Sequence, residues 1–240
     1  MSSFRALLWS SLGKKYLTGA TGVLLVVYII GHLVGNLTLL IGPHAFNEYA
    51  HFLENLAFGA FVIAFEVALI TVFLLHMLYG VTVALVDKPR ARPVKYVQQR
   101  DAGGASHKGL ASRSMIITGL VLIVFVVWHV WHFKFGERGI FQGEGGRELG
   151  DLHGVVVAAF KTPWIVAVYV AVMILLGLHL RHGFWSMFQS LGLTGPRSLN
   201  ALTRFSLAFA IVWAGGFVLL PLYVYFLVEP GAAAAAAGGH

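Results

Sequence analysis

Five stretches of this chain are long and apolar enough to cross a lipid bilayer, and they decide which solvent every other residue answers to. They lie at about residues 16–40, 60–86, 114–133, 163–188 and 204–228. Each has the ~20 residues that a helix needs to span a hydrocarbon core of ~30 Å. Backbone polar groups in lipid must be satisfied within the segment, so each run is expected to be helical, and the glycines inside the runs do not break it. Composition agrees, since 58% of the 240 residues are hydrophobic and only 11% are charged, a balance unlike that of a soluble domain. The expected fold class is all-α, an integral membrane bundle of five transmembrane helices over residues 1–228. A low-complexity tail follows at 229–240, "GAAAAAAGGH" at its end. The first run is too long for the h-region of a signal peptide and is expected to stay in place as a helix. The longer connections, about 87–113 and 134–162, read as too short and glycine-rich to fold alone.

A formal net charge of +7 suggests nucleic acid only until the charges are placed. Arg5, Lys14 and Lys15 precede the first span. Lys88, Arg90, Arg92, Lys95, Arg100, Lys108 and Arg113 separate the second from the third. Arg181, Arg197 and Arg204 surround the turn from the fourth to the fifth. Thus 13 of the 17 basic residues share one side. The other side carries Lys134, Arg138, Arg147 and Lys161, offset by Glu137, Glu144, Glu148 and Asp151. This is the positive-inside pattern. It predicts a multi-pass protein of the cell's inner (cytoplasmic) membrane with its N-terminus in the cytoplasm and its C-terminus outside.

Ionisable residues inside such spans are costly and mark function. Here they are histidines: His32 in "IIGHLVGN", His76 in "LLHMLYG", His129 and His132 in "VVWHVWH", His179 and His182 in "LGLHLRHG". His32, His76 and His179 each lie 16 residues past the start of their run, and His129 lies 15 past its own. Because alternate helices run in opposite directions, His32 and His129 should meet in the outer half of the membrane and His76 and His179 in the inner half. At 1.5 Å per residue the two levels should be on the order of 15 Å apart. A single intramembrane histidine can be no more than a hydrogen-bond partner between helices. Four of them, paired in depth on four separate spans, favour axial ligation of two flat haems, for which neutral imidazole is a good ligand. A di-iron carboxylate site would need several acids and a Glu-x-x-His pair, and the only acid deep in the runs is Glu66. With no cysteine in the chain, disulfides, thiolate-bound iron–sulfur clusters and c-type haem attachment are excluded. The fifth span has no histidine, and "WAGGFVLLPLY" reads as close helix packing.

The segments "SSLGKKYLTGATG", "GHLVGN", "YAHFLENLAF", "HMLYG", "SRSMIITG", "FVVWHVW" and "HLRHGFWSMFQSLGLTGPRS" resemble the dihaem cytochrome b membrane anchor of succinate dehydrogenases and fumarate reductases. The type they resemble is the single five-helix polypeptide of bacteria that use menaquinone. The resemblance runs in order over roughly residues 10–205. It implies that four helices enclose two b-type haems, with His32 and His129 on the outer iron and His76 and His179 on the inner one. It also selects His129 over His132 and His179 over His182. The family's quinone-linked glutamate after the first helix is matched most nearly by Glu54 in "HFLEN". A glutamate that some members carry two residues before the fourth ligand is Gly177 here, so that proton route is not expected.

Several further residues are candidates. Arg113, Arg181 and His182 lie near the cytoplasmic end, in reach of the inner haem's propionates, although the two arginines could equally snorkel to headgroups. His132 lies one turn outward of His129 and would meet an outer propionate or line a quinone pocket. His44, Asn47, Glu48, His51 and Glu54 gather in the outer loop; they read as exposed, and only Glu54 and His51 are functional candidates. Glu66 competes with Glu54 as the acid that would protonate quinone. The chain has no dinucleotide fingerprint, so succinate chemistry itself would belong to a flavoprotein subunit and an iron–sulfur subunit docked on the cytoplasmic face. This chain would be the respiratory complex II anchor that passes their electrons through the haems to quinone, expected to be menaquinone. Two other readings stay open: a dihaem cytochrome b of another quinone-linked dehydrogenase, such as a hydrogenase or formate dehydrogenase, and a proton or metal transporter built on histidines.

Overall fold

The structure is a computed structural model that describes residues 3–91 and 109–229. Arg92, Lys95, Arg100 and Lys108 of the basic connection, and the tail from residue 230 on, lie outside the described residues. Five helices are long and apolar enough to cross a membrane: Ser11–Leu40, Ala60–Arg90, Leu110–Lys134, Pro163–Ser190 and Arg197–Leu227. The chain is a multi-pass, all-α membrane protein. Every span is longer than its apolar run, and most of the extensions carry basic residues, which can reach headgroups along their own methylene stems and need not terminate the helix.

The chain opens with α1 (Ser3–Trp9) and turns at once into α2 (Ser11–Asn36). The turn is made by Ser10, whose Oγ accepts from Gly13 N at 2.9 Å and donates to Leu7 O at 2.7 Å. A Cβ on Gly13 would sit 2.1 Å from Leu7 O, so only glycine permits this approach. A 3₁₀ turn, Leu37–Leu40, ends the span. Next comes α3 (Pro43–Asn55), started by Gly42 at φ 134° and by Pro43 in the first turn, where its missing N–H is harmless. Ala57 and Phe58, both at positive φ, and Gly59 reverse the chain into α4 (Ala60–Thr82). That helix continues through a π-turn, Val83–Asp87, and a last turn, α5 (Lys88–Arg90). α6 (Leu110–Lys134) is the third span. The connection that follows, read from sequence as too short and glycine-rich to fold alone, forms a hairpin, β1 (Gly139–Gln142) against β2 (Glu148–Asp151), with Gly139 opposite Asp151, and then α7 (Leu152–Phe160). Last come α8 (Pro163–Ser190) and α9 (Pro196–Leu227).

The helices contribute to two compact units. The first comprises Met1–Tyr28, Ala68–Leu120 and Leu175–Val212. Its core includes Phe184 against Phe209, with exposed Phe205 beside Phe184. It also holds Lys14, buried beside the Trp9 ring, in an ion pair with Asp87 at 2.8 Å. A charge buried this far must be paired, and the pair ties the start of α2 to the π-turn.

The second unit comprises Ile29–Val67, Val121–Ile174 and Trp213–His240. Here α9 meets α2 closely: a Cβ on Gly216 would fall 2.7 Å from the Leu33 side chain, the packing that "WAGGF" predicts. The same unit carries a cap made of α3, the hairpin and α7, closed on Phe46, Phe141 and Leu149. Asn47 is 1% exposed, contrary to its reading as an exposed loop residue. Its Nδ2 donates to Asp151 Oδ1 at 2.8 Å and its Oδ1 accepts from His153 N at 2.9 Å. Asp151 in turn caps α7 by accepting from Gly154 N. A helix N-terminus leaves its first N–H groups unpaired, and a side chain from α3 serves as part of the α7 cap. That demand pulls Asn47 inside.

Candidate functional site

Each unit contains one of the two predicted histidine pairs. In the first unit, His76 on α4 and His179 on α8 are close enough to interact electrostatically. Both rings are held through Nδ1. His76 Nδ1 lies 3.2 Å from Thr21 Oγ1 and 3.2 Å from the Thr18 carbonyl. A carbonyl only accepts, so Nδ1 bears the proton. His179 Nδ1 lies 3.1 Å from Thr118 Oγ1, which itself donates toward Ser114 O and Met115 O and so is left to accept. In both rings the proton is thereby fixed on Nδ1, and Nε2 keeps its lone pair. A side chain is also missing beside each ring. A Cβ on Gly22 would come 3.5 Å from His76 Cε1, and one on Gly119 would come 3.5 Å from His179 Cε1.

In the second unit, His32 on α2 and His129 on α6 lie with ring centroids 5.9 Å apart and planes at 87°. His129 Nδ1 is 2.9 Å from the hydroxyl of buried Tyr169 on α8. Phe125 and Phe133 flank the His129 ring at 5.6 and 5.2 Å, and Phe217 lies 5.9 Å from His32. The setting is apolar and aromatic, with one hydroxyl aimed at one ring nitrogen.

The other candidates are placed as follows. Glu54 pairs with Arg138 at 2.7 Å, and Glu66 pairs with Lys134. The two acids are therefore held by cations four residues apart in the chain, one at the end of α6 and one beyond it. His51 is half-buried and lies 3.0 Å from Asn55 Nδ2. His182 is half-buried, edge-on to Trp185 at 4.9 Å, with Lys88 near it. Arg113 and Arg181 are exposed and have no acidic partner among the described residues. His132 stacks on Phe133 and touches Trp128. In the cap, Glu48 accepts from Glu144 N at 2.7 Å and from Arg147 at 3.1 Å. The Glu144 N–H, and after it the Arg147 guanidinium, hold its carboxyl below the usual carboxylate range.

Thr21, Thr118 and Tyr169 were not singled out from sequence. A signal for the threonines exists. Thr21–Gly22 precedes His32 by the same spacing as Thr118–Gly119 precedes His129, eleven residues from threonine to histidine. α2 and α6 thus each supply a hydroxyl and a glycine to one pair and a ring to the other. Tyr169 stands ten residues before His179, and Glu66 stands ten before His76.

Compared with known proteins, the chain is similar to the succinate dehydrogenase cytochrome b558 subunit of Bacillus subtilis (strain 168). The two are 28% identical over 182 residues, 75% of this chain and 80% of that protein. No family model matches the chain, and no solved structure matches it. Five helices long and apolar enough to span a membrane, the ordered motifs and a similarity that covers most of both chains converge: this chain is similar to a succinate dehydrogenase cytochrome b subunit.

Proposed function

We propose that the chain is the membrane anchor of a succinate:quinone oxidoreductase and holds two b-type haems, one between His32 and His129 and one between His76 and His179. The observation that carries this reading is the state of the rings. His76 and His179 have their protons fixed on Nδ1 and their Nε2 lone pairs left over, which is what an iron-ligating imidazole requires. The 5.9 Å spacing of the His32 and His129 rings is of the order that two metal–nitrogen bonds of about 2 Å each demand. No cluster of three or more metal-binding side chains occurs among the described residues. That fits a macrocycle that brings most of the donors itself. Bound there, the haems supply one-electron transfer. The protein's part is to orient the rings, exclude water around them and hold acids where quinone can exchange protons.

The N-terminus faces the cytoplasm in this reading, because the basic residues gather at that end. A flavoprotein and an iron–sulfur subunit dock there, and menaquinone is reduced at the opposite end. Glu54 and Glu66 are the carboxylates of that end which communicate with water. Each is paired with a neighbouring cation, Glu54 with Arg138 and Glu66 with Lys134. Arg113, Arg181 and His182 lie toward the cytoplasmic face, where they are available to propionates.

The test is haem stoichiometry with variants. The purified wild-type chain should carry two b-type haems. His76→Ala and His32→Ala should each retain one, and the two remainders should differ in spectrum and midpoint potential. Two haems in either variant would break the assigned pairing, and none in the wild type would remove the reading altogether.

A further inference from the structure

α2 and α4 meet at two polar contacts in the first unit, and only one of them has a histidine in it. The other joins Lys14 to Asp87 at 2.8 Å, with side chains only 9% and 20% exposed. Asp87 Oδ2 is buried and has no hydrogen-bond partner among the described residues. The Lys14 ammonium also lies 5.8 Å from the centre of the Trp9 ring, and Trp9 meets buried Tyr79, three residues past His76.

The two contacts are linked through α2. Thr18, one turn past Lys14, donates from Oγ1 to Lys14 O at 2.8 Å, and its own carbonyl lies 3.2 Å from His76 Nδ1. Thr21 Oγ1 is 3.2 Å from the same nitrogen. The remainder of this stretch is smooth. A Cβ on Gly19 would fall 3.0 Å from the Ser190 side chain and 3.2 Å from Met187 O. Small residues let helices approach closely, but they offer few side chains that lock one helix lengthwise against another. A slide of one residue is 1.5 Å, enough to carry contacts of 3.2 Å past hydrogen-bond range. Asp87 is also specially aimed. The π-turn Val83–Asp87 holds one residue more than an α-helical turn would, which swings Asp87 by about 100°. Such turns gather at functional sites, and this one ends on the residue that meets Lys14.

We propose that Lys14 and Asp87 are positioning residues for His76: their ion pair fixes the register of α2 against α4, and through it the hydrogen bonds that hold the His76 ring. The proposal rests on the haem reading above and adds what tunes one of the ligands. When haem is bound, a Nδ1–H held by a carbonyl makes the imidazole a more basic ligand, which favours the oxidised iron. Without the ion pair, the Thr18 carbonyl and Thr21 hydroxyl drift from Nδ1 and that support weakens.

The test is a redox titration of the full chain, purified with the haem it carries. Lys14→Met and Asp87→Leu should each raise the midpoint potential of the haem that His76→Ala removes and leave the other haem's unchanged. The shared sign is the diagnostic. A change of charge alone would lower the potential when the cation goes and raise it when the anion goes, so opposite shifts overturn the proposal. So does an unchanged potential in both folded variants. Lys14→Arg, which keeps the pair, should stay at the wild-type value. Breaking a buried pair strands a charge, whereas removing both partners does not. If a single variant does not fold, Lys14→Met combined with Asp87→Leu should show the same upward shift, and an unchanged value there overturns the proposal too. A second reading needs no haem: exchange of the His76 Nδ1 proton with water, followed by NMR of the chain labelled with nitrogen-15 histidine. It should quicken by about tenfold in the variants that lose the pair, and an unaltered rate overturns the proposal. Failure of the broader reading is seen separately, as a wild-type chain with no b-type haem spectrum.

Discussion

The threonine hydroxyls make a sharper case for the histidine pairs than the histidines alone. Thr118→Val keeps the side chain's shape and removes the oxygen that accepts from His179 Nδ1. A buried donor left without its acceptor costs about 1–3 kcal/mol, and loss of such an orienting partner typically weakens metal binding 10–100-fold. Thr118→Val should therefore lose haem from the His76–His179 pair in a hemin titration, and Thr118→Ser should hold it. Tyr169→Phe should act on the other pair alone, lowering retention at His129 and leaving the first unit's spectrum unchanged. The histidines were legible in the sequence because a polar ring in a hydrocarbon run is conspicuous. Thr18, Thr21 and Thr118 were not, since a threonine in a transmembrane helix can satisfy its hydroxyl on its own backbone, as Thr21 also does on Leu17 O. Only the crossing of helices shows that a ring nitrogen shares that oxygen. Glu54 and Glu66 were legible as acids, but their ion pairs with Arg138 and Lys134 depend on how the chain turns after α6.

Among the elements, the spans were readable from apolar length and the cap was not. α3 carried a usable signal, with Pro43 at its start and Phe46, Tyr49, Ala50 and Leu53 at helical spacing. The hairpin had none so direct, because Gly143, Gly145 and Gly146 interrupt any alternation of apolar and polar residues. Gly143 is in fact required by packing: a Cβ there would fall 2.6 Å from Glu48 Oε1 and 2.7 Å from Leu149. The cap depends on Asn47, which satisfies the His153 N–H and a carboxylate oxygen of Asp151 together. Asn47→Ala should leave the His153 N–H without a partner and Asp151 Oδ1 with Gly154 N alone, and destabilise the cap by about 2 kcal/mol. Faster hydrogen exchange at His153 and Gly154, with exchange in α6 unchanged, would register it.

Acid should loosen the same cap. Burial pushes the His153 imidazole below its usual 6.5, against the opposing pull of Asp151. The unfolded segment then binds a proton that the folded one refuses, so stability is complete above about pH 6.5 and falls as the pH drops below it. Glu48, lowered in the folded cap, adds a loss of the same sign at the lower pH where its carboxylate is finally protonated. Exchange at His153 should therefore accelerate between pH 7 and 5 beyond the change in intrinsic rate. His153→Phe should flatten that added dependence.

At the scale of the whole molecule, the charge asymmetry and the two units carry the argument. The end with Lys14, Lys15, Lys88, Arg90, Arg113, Arg181, Arg197 and Arg204 is the one assigned to the partner subunits. Reversing several exposed charges there, for example Lys15→Glu with Arg113→Glu, should lower recovery of the iron–sulfur subunit with the anchor. Recovery should fall further as salt is raised, since exposed charge contacts are screened over a Debye length of about 8 Å at physiological ionic strength. Haem content should not change.

The order of the histidines along the chain also gives assembly a direction. His32 is on α2 and His129 on α6, whereas His76 on α4 waits for His179 on α8. As the nascent chain enters the membrane, the first pair has both its rings one full span before the second does, and Tyr169 and Phe217 arrive afterwards beside it. On the proposed function, haem would accordingly load first between His32 and His129 and only later between His76 and His179. A chain stalled during synthesis near residue 162 should carry at most one haem, and its spectrum should match the one that survives in the His76→Ala variant.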